Sequence, residues 1–322
     1  MRFLKNLLAA GVSALALVPG AHAQGAYPSR TITFITAFAP GNAPDVLVRA
    51  LAQEITRDTG VTIVIDGRPG AGTFLATQAV ARAQPDGHTI LVTGSSTFTS
   101  NRHVFKKLPY DPVKDFQTVT TLAKGPIALF VNPNVPAKTV PELIALAKRQ
   151  PGKLTYGEAT ASSRVAGELL QRGGGIQLTR IPYKSSTQAL PDLMGGQIDM
   201  IFTDLTALRL AKEGKLRALA IADSRRASVA PELPTLDEVG LRGMDSLGFT
   251  LMMMAPAGTP MPVVEKLRAM VTKAARSAQV QPTYASNGMY PFLTTPSEMS
   301  ALIEKESEMW REMAKAAGME PQ

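Results

Sequence analysis

The chain has 322 residues, of which 45% are hydrophobic and 19% charged, with no cysteine, one tryptophan and a formal charge of +8. That length supplies two lobes of ordinary size whose cores must hold without disulfides, and the missing cysteines also exclude thiolate metal sites and cysteine nucleophiles. The positive balance suits an anionic small ligand or an acidic neighbouring surface, and nucleic acid is excluded as a partner because the basic residues are scattered and form no recognised binding signature.

Arg2 and Lys5 precede an apolar run from residue 7 to 18 and the small-x-small triplet Ala21-His22-Ala23, the pattern of an export signal cleaved after Ala23. The run is too short to span a bilayer, and no cysteine follows it to carry a lipid anchor. The expected mature chain starts at Gln24, is soluble, and resides in a bacterial periplasm.

Thr31-Ile32-Thr33-Phe34-Ile35-Thr36 alternates polar and apolar residues and predicts a first strand over 32–37. The loop Phe38-Ala39-Pro40-Gly41-Asn42-Ala43-Pro44-Asp45 follows. Asn42 and Asp45 stand at capping spacing with Pro44 in the first turn, so a helix runs from here to about Thr59. Free N–H groups and the dipole at such a start favour an anion, although a helix cap alone accounts for the same residues. Further strands are expected at 62–66, 89–93, 128–132, 154–156, 179–181, 200–202 and 216–221. Thr139-x-x-Glu142, Thr235-x-x-Glu238 and Thr295-x-x-Glu298 open helices as capping boxes, and Gly60, Gly152, Gly195 and Gly240 stand at expected helix stops. Alternating strands and helices imply parallel pairing in doubly wound α/β sheets, with ligands beyond the carboxyl ends of the strands.

Two apolar runs, 126–132 and 247–255, mark places where the chain crosses between lobes. Residues 24–125 and 248–322 would then build one lobe and 126–247 the other, a layout suited to a hinged binding protein; a single large sheet is the alternative. The methionines at 252–254 read as a buried strand.

Much catalytic chemistry is absent. Outside the signal only His88 and His103 remain, and no His-Glu-x-x-His, Gly-x-Ser-x-Gly, Ser-x-x-Lys or Walker pattern occurs. Asp86-Gly87-His88 reads as a surface turn, and His103 as a loop residue beside Lys106-Lys107. An exported serine hydrolase using Ser95 or Ser96 with a histidine is the weakest of the readings that survive. What remains at strand ends is small and hydroxylic: Ser95 and Ser96 after one strand, Ala159 to Arg164 after another, and Thr203-Asp204 after a third. Ser162 or Ser163 also suits a helix cap, Asp204 another, and Arg164 suits either a carboxylate bond or a solvent-facing position.

Together these strings resemble a known family. Tyr27-Pro28-Ser29-Arg30, Phe38 to Asp45, Arg68-Pro69-Gly70-Ala71-Gly72, Pro85-Asp86-Gly87, Leu108-Pro109-Tyr110-Asp111-Pro112, Pro151-Gly152-Lys153-Leu154, Ile181-Pro182-Tyr183-Lys184, Gly195-Gly196-Gln197-Ile198-Asp199 and Ala255-Pro256-Ala257-Gly258 follow, in order and at the expected intervals, the pattern of the Bug-type solute receptors. These are the substrate-binding components of tripartite tricarboxylate transporters. The resemblance implies a periplasmic, two-lobed binding protein of the type II, Venus-flytrap kind, not an enzyme, without a cofactor or metal. It implies a monomer that delivers a small organic carboxylate to a membrane permease of one large and one small subunit. The family's ligands include citrate-like acids, dicarboxylates, acidic amino acids and aromatic acids. By position it assigns Pro40, Gly41, Asn42 and Asp45, with Ser95 and Ser96, to one side of the cleft. On the other side it assigns Ala159, Thr160, Ser162, Ser163, Thr203 and Asp204.

Three departures stand out: Asn42 replaces a usual glycine, Pro44 removes a backbone donor, and Glu158-Ala159-Thr160 puts a carboxylate beside a presumed anion pocket. The same ligand-binding body also suits a periplasmic sensor presenting its closed form to a signalling receptor. Phe38, Tyr156 and Phe202 lie near strand ends, where they would line an aromatic pocket or fill the core.

Overall fold

A computed structural model describes residues 27–70, 73–183, 185–244 and 247–316. The expected export signal, Ala71, Gly72, Lys184, Asp245, Ser246 and the final residues lie outside that range. The first third of the chain runs β1 (Ile32–Thr36), α1 (Ala43–Thr59), β2 (Ile63–Gly67), α2 (Phe74–Ala81), β3 (Thr89–Gly94), α3 (Asn101–Val104) and β4 (Phe116–Gly125). The middle runs β5 (Ile127–Val131), α4 (Val140–Arg149), β6 (Thr155–Glu158), α5 (Ala161–Gly174), β7 (Thr179–Pro182), α6 (Ser186–Met194), β8 (Met200–Asp204), α7 (Leu208–Lys212) and β9 (Arg217–Ala222). The last part contains β10 (Phe249–Pro256), α8 (Met261–Ala275), α9 (Gln281–Ser286), β11 (Tyr290–Pro291) and α10 (Pro296–Ala316).

The strands form two sheets, in the order β11-β4-β10-β3-β1-β2 and β7-β6-β8-β5-β9. Helices cover both faces of each. The apolar residues of α1 and α8 pack on one face of the first sheet, and those of α2 and the start of α10 on the other. On the second sheet α4 and α5 cover one face and α6 and α7 the other. Pairing is mixed rather than purely parallel. β2, β1 and β3 are parallel, as are β7, β6 and β8, but β10 opposes β3 and β4, and β5 opposes β8 and β9. β5 follows β4 with only Pro126 between them, and β10 arrives after a long connection that contains no α-helix among its described residues. No crossover helix carries these strands back to the same end of a sheet, so they enter from the opposite end.

The caps form as their spacing implies. Asp45 N–H reaches Asn42 Oδ1 at 3.0 Å, and Thr139 Oγ1 accepts from Glu142 N–H. Thr235 with Glu238 and Thr295 with Glu298 close reciprocal boxes. Gly60 and Gly240 terminate their elements with φ of 72° and 89°. Gly152 takes φ 70° two residues past the Gln150 cap of α4, and at Gly195 the left-handed residue is instead the next one, Gly196, at 74°.

The two passages between the sheets touch. A Cβ on Gly248 would lie 2.8 Å from the Gly125 carbonyl oxygen and 3.0 Å from Pro126 Cα, both main-chain atoms that cannot rotate away. Gly248→Ala is therefore expected to lower stability by about 1–3 kcal/mol, read as a lower urea midpoint. An unchanged midpoint would mean that the crossing relaxes freely.

Candidate functional site

Loops at the carboxyl ends of β1, β2 and β3 are tied together. Arg68 N–H donates to the Thr36 carbonyl at 2.8 Å, and the Thr73 and Thr97 hydroxyls meet at 3.0 Å. In the first of these loops Gly41 has φ 83°, and open space surrounds the position of its missing Cβ, so backbone conformation alone calls for glycine. Asp45 is 1% exposed. Its Oδ2 accepts from Gly41 N–H at 2.8 Å and from Arg49 Nε at 2.9 Å, while Oδ1 is buried without a protein partner. A carboxylate can only accept, so Asp45 braces the loop and meets an anion only through an intervening donor. Asn42 is exposed and spends its side-chain oxygen on the cap. Of the N–H groups at this start, Asp45 and Val46 donate to Asn42 and Pro44 has none, which leaves that of Ala43 outside the cap. Pro40 is exposed beside it.

The loop after β6 is built the same way. Thr160 Oγ1 accepts from Ser163 N–H at 3.0 Å. Ser163 Oγ accepts from Ala159 and Thr160 N–H, both at 2.9 Å, and donates to the Thr160 carbonyl at 2.8 Å. One proton and two lone pairs are then fully used, so Ser163 shapes this loop. Ser162 is half-buried beside it, and its hydroxyl takes no part in that cap. Glu158 carries an ion pair with Arg180 Nη1 at 2.5 Å, which neutralises the carboxylate next to the loop and holds the guanidinium further above its ordinary range. Arg164 lines a groove of about 410 Å³ between α5 and α10 with Val165, Met309 and Met313.

Thr203 is buried in β8, where it pairs with Ala128. Asp204 caps the following 3-10 turn through Thr206 N–H and the Thr206 hydroxyl. Ser95 is 8% exposed and Ser96 exposed, in the turn that follows β3. Tyr156 and Phe202, each 1% exposed, fill the core of the second sheet, while half-buried Phe38 packs edge-on against Phe249 with centroids 5.9 Å apart.

The two histidines have structural partners of their own. His88 is 5% exposed rather than in a surface turn; it accepts from Ser29 N–H and lies edge-on to Tyr27. It precedes β3 while Ser95 follows it, a six-residue strand or roughly 20 Å away. His103 lies in α3 and bonds the Ser307 hydroxyl at 3.0 Å, and burial lowers its pKa. His88 is therefore too far from Ser95 and Ser96 to activate either, and His103 is committed to Ser307 on α10. Among the described residues there is no acid and histidine cluster able to hold a metal, and no helix long and apolar enough to cross a membrane.

Beneath the Ser95 turn lies a group that reading by motif missed. Glu306 on α10 is 3% exposed. Burial pushes its carboxyl up to about 7, while the neighbouring Ser95 hydroxyl, the Lys124 charge and the Thr250 hydroxyl pull it back. Its spacing with Met299, Ile303 and Trp310 along one helix face was the available signal. Lys124 in turn pairs with buried Asp223 at 3.2 Å, and Asp223 accepts from Tyr290 hydroxyl at 2.5 Å, with Arg225 stacked 3.9 Å over the Tyr290 ring. This network ties β4 and β11 of the first sheet to the residues that follow β9 of the second.

A folded pKa above the ordinary 4.5 gives stability that is complete below about pH 4.5 and is lost as pH rises to about 7. Glu306→Gln is therefore expected to match the parent near pH 4.5 and exceed it by up to about 3 kcal/mol at pH 8, measured by urea unfolding at both pH values. A difference that does not grow with pH would refute the buried charge.

Residues 46–319 match the family described as the tripartite tricarboxylate transporter family receptor. The chain is 33% identical over 294 residues to the UPF0065 protein of the tcbD–tcbE intergenic region of Pseudomonas sp. strain P51, covering 89% of this chain and 86% of that one. It is 31% identical to protein BugT of Bordetella pertussis, covering 91% and 90%. Among solved structures, R. palustris Rpa4515 with adipate is 30% identical, covering 92% of this chain and all of that one, with a TM-score of 0.76. MatC from Rhodopseudomonas palustris with bound malate is 32% identical, covering 89% and 99%, with a TM-score of 0.70.

Proposed function

The chain belongs to the receptor family of tripartite tricarboxylate transporters, and from that premise we propose that it captures an aliphatic dicarboxylate between two lobes in the periplasm. Residues 24–125 and 248–322 mainly build one lobe and 126–247 the other, with the later part of α10 packing onto the second, after export and cleavage behind Ala23. The protein acts as a monomer without a cofactor and passes its ligand to a membrane permease of one large and one small subunit.

The observation that carries this reading is the pair of capped helix starts, α1 and α5, each at a strand carboxyl end of a different sheet. Both caps order a loop whose remaining donors are neutral N–H and O–H groups, and the nearby Glu158 is neutralised by Arg180. Neutral donors and helix dipoles hold carboxylates without a fixed counter-charge. Two relatives of about 30% identity carry aliphatic diacids, adipate and malate. The burial of Tyr156 and Phe202 removes two candidates for a flat aromatic pocket, which favours the aliphatic class.

The test is a thermal-shift series on the mature protein with succinate, malate, adipate, citrate, aspartate, terephthalate and nicotinate. A matching diacid at 100 times its dissociation constant adds about 2.7 kcal/mol, a rise of several degrees. A shift with the aromatic acids alone would overturn the aliphatic assignment. Silence across all seven, with mass spectrometry finding no co-purified acid, would overturn carboxylate binding.

A further inference from the structure

We propose that the groove where the two sheets meet, lined by Lys124, Arg225, Arg276 and Lys305, binds a multivalent phosphate-type oxyanion that ties the lobes together on the flank away from the ligand loops. The site stands on these side chains alone, while its effect on ligand capture rests on the carboxylate-binding reading above.

Four separate parts of the chain bring these charges together. Lys124 stands at the carboxyl end of β4, Arg276 follows α8, Lys305 lies on α10, and Arg225 follows β9 of the second sheet. The groove has a volume of about 580 Å³, and among the described residues no carboxylate lines it. Asp223, which adjoins it, is 2% exposed. Its oxygens are taken by Lys124 Nζ at 3.2 Å, Ser224 N–H at 2.7 Å and the Tyr290 hydroxyl at 2.5 Å. Asp223 thus offsets Lys124, and among the described residues no carboxylate pairs with Arg225 or Arg276. Arg225 is also held in place, because its guanidinium stacks 3.9 Å over a Tyr290 ring that Asp223 fixes. Stacking uses the flat face and leaves the N–H edge for in-plane bonds, the geometry that meets two phosphate oxygens at once. A cleft of this size admits a diphosphate as readily as orthophosphate.

Strand order gives the groove its place relative to ligand. In the first sheet β4 and β10 separate β11 from β3 and β1, whose ends carry ligand loops, and in the second β5 separates β9 from β8 and β6. The groove is built on β4, β11 and the residues after β9, so it lies across the two passages from the starts of α1 and α5. Closure that brings those starts together about the passages draws the opposite flank apart. An anion bound at once to Arg225 of one lobe and Arg276 of the other resists that separation. It therefore favours the open cleft and weakens ligand binding, and ligand weakens its binding by the same factor.

Calorimetric titration of the mature protein with pyrophosphate at low salt reads the site, and because Arg225, Arg276 and Lys305 are exposed, the affinity should fall as sodium chloride is raised. Arg225→Gln and Arg276→Gln should each lower it about tenfold. Arg276→Gln, which has no part in the Tyr290 stack, should leave binding of adipate, malate and succinate unchanged when pyrophosphate is absent. In the parent, saturating pyrophosphate should weaken diacid binding by roughly fivefold or more. Co-sedimentation with phosphatidylglycerol vesicles separates the two sources of such a group: pelleting that both variants lose names a lipid headgroup, and no pelleting names a free oxyanion. No heat with pyrophosphate overturns the site, as does an affinity that both variants keep, which would put the ion in the ligand cleft. A diacid affinity that bound pyrophosphate leaves unmoved overturns the tie across the passages. A parent that binds pyrophosphate but none of the three diacids would instead remove the carboxylate reading and leave the site standing.

Discussion

Asp45→Ala is expected to weaken diacid binding by roughly 30–150-fold, about 2–3 kcal/mol, while the protein still folds. The side chain holds Gly41 N–H at 2.8 Å and Arg49 at 2.9 Å, so its loss releases the turn that sets the β1–α1 loop. Folding loses less, about 1–2 kcal/mol, because Gly41 and Arg49 are both largely exposed and water replaces the carboxylate. Binding loses more because an unbraced loop must be ordered each time ligand arrives. Asp45→Asn, which retains an acceptor for Gly41, should recover part of the affinity. Titration calorimetry beside a urea melt separates the two effects; binding within twofold of the parent would take this loop out of the site.

Trp310→Ala should cost about 3–5 kcal/mol, as large-to-small changes of buried aromatic residues do. Trp310 is 8% exposed in the core of the second sheet, whereas Met299 and Ile303, earlier on the same helix, are in the core of the first. α10 thus spans both sheets, and removing its anchor should loosen their coupling as well as the core. Circular dichroism under urea is expected to show an earlier and broader transition, separating toward two steps. Trp310→Phe should restore most of the loss. A single transition at the parent midpoint would show that the end of α10 bears no load. Because Trp310 is the one tryptophan of the chain, its fluorescence in the parent follows this junction directly.

Particular elements show which features can be read locally. The strands before α1, α2 and α5 emerge within a residue or two of their expected bounds, because alternation along five or six residues is a property of the segment itself. β4 escapes that reading. Its Thr-Val-Thr-Thr-Leu stretch lacks a clean alternation, and its pairing with β10 shifts register twice, between Leu251 and Met252 and between Met253 and Met254. A bulge moves side chains to the other face and erases the period of two. The antiparallel direction of β10 and β5 was equally invisible, since strand direction belongs to the partner and not to the segment.

The candidate site divides along the same line. Asn42, Ser162 or Ser163, and Asp204 were legible as cap residues because a cap joins residues two to four apart, while the N-cap of α5 itself is Thr160, which the sequence reading had not picked out as a cap. Their being caps decided which groups remain uncommitted: Ser163 Oγ and the Ala159 and Thr160 N–H groups are already used, so the proposed contacts are Ser162, the N–H of Ala43 and the Ser95–Ser96 turn. The departure that put Glu158 beside an anion pocket lost its charge to Arg180, 22 residues away and on the next strand.

By itself the sequence determined the alternation of strands and helices, most helix starts, the lack of thiol chemistry, and the resemblance to a receptor family. The first three rest on composition or on bonds that reach a few residues along the chain, and the last on motif strings kept in order along its whole length. Tertiary structure alone decided the mixed sheets, the contact of Gly248 with Gly125 and Pro126, and the burial of His88, Tyr156 and Phe202. It also decided the environment of Glu306, whose partners Ser95, Thr250 and Lys124 lie on three other elements. Burial and charge balance are sums over neighbours brought from far along the chain, and a carboxyl in an amphipathic helix acquires a shifted proton affinity only when those neighbours close over it.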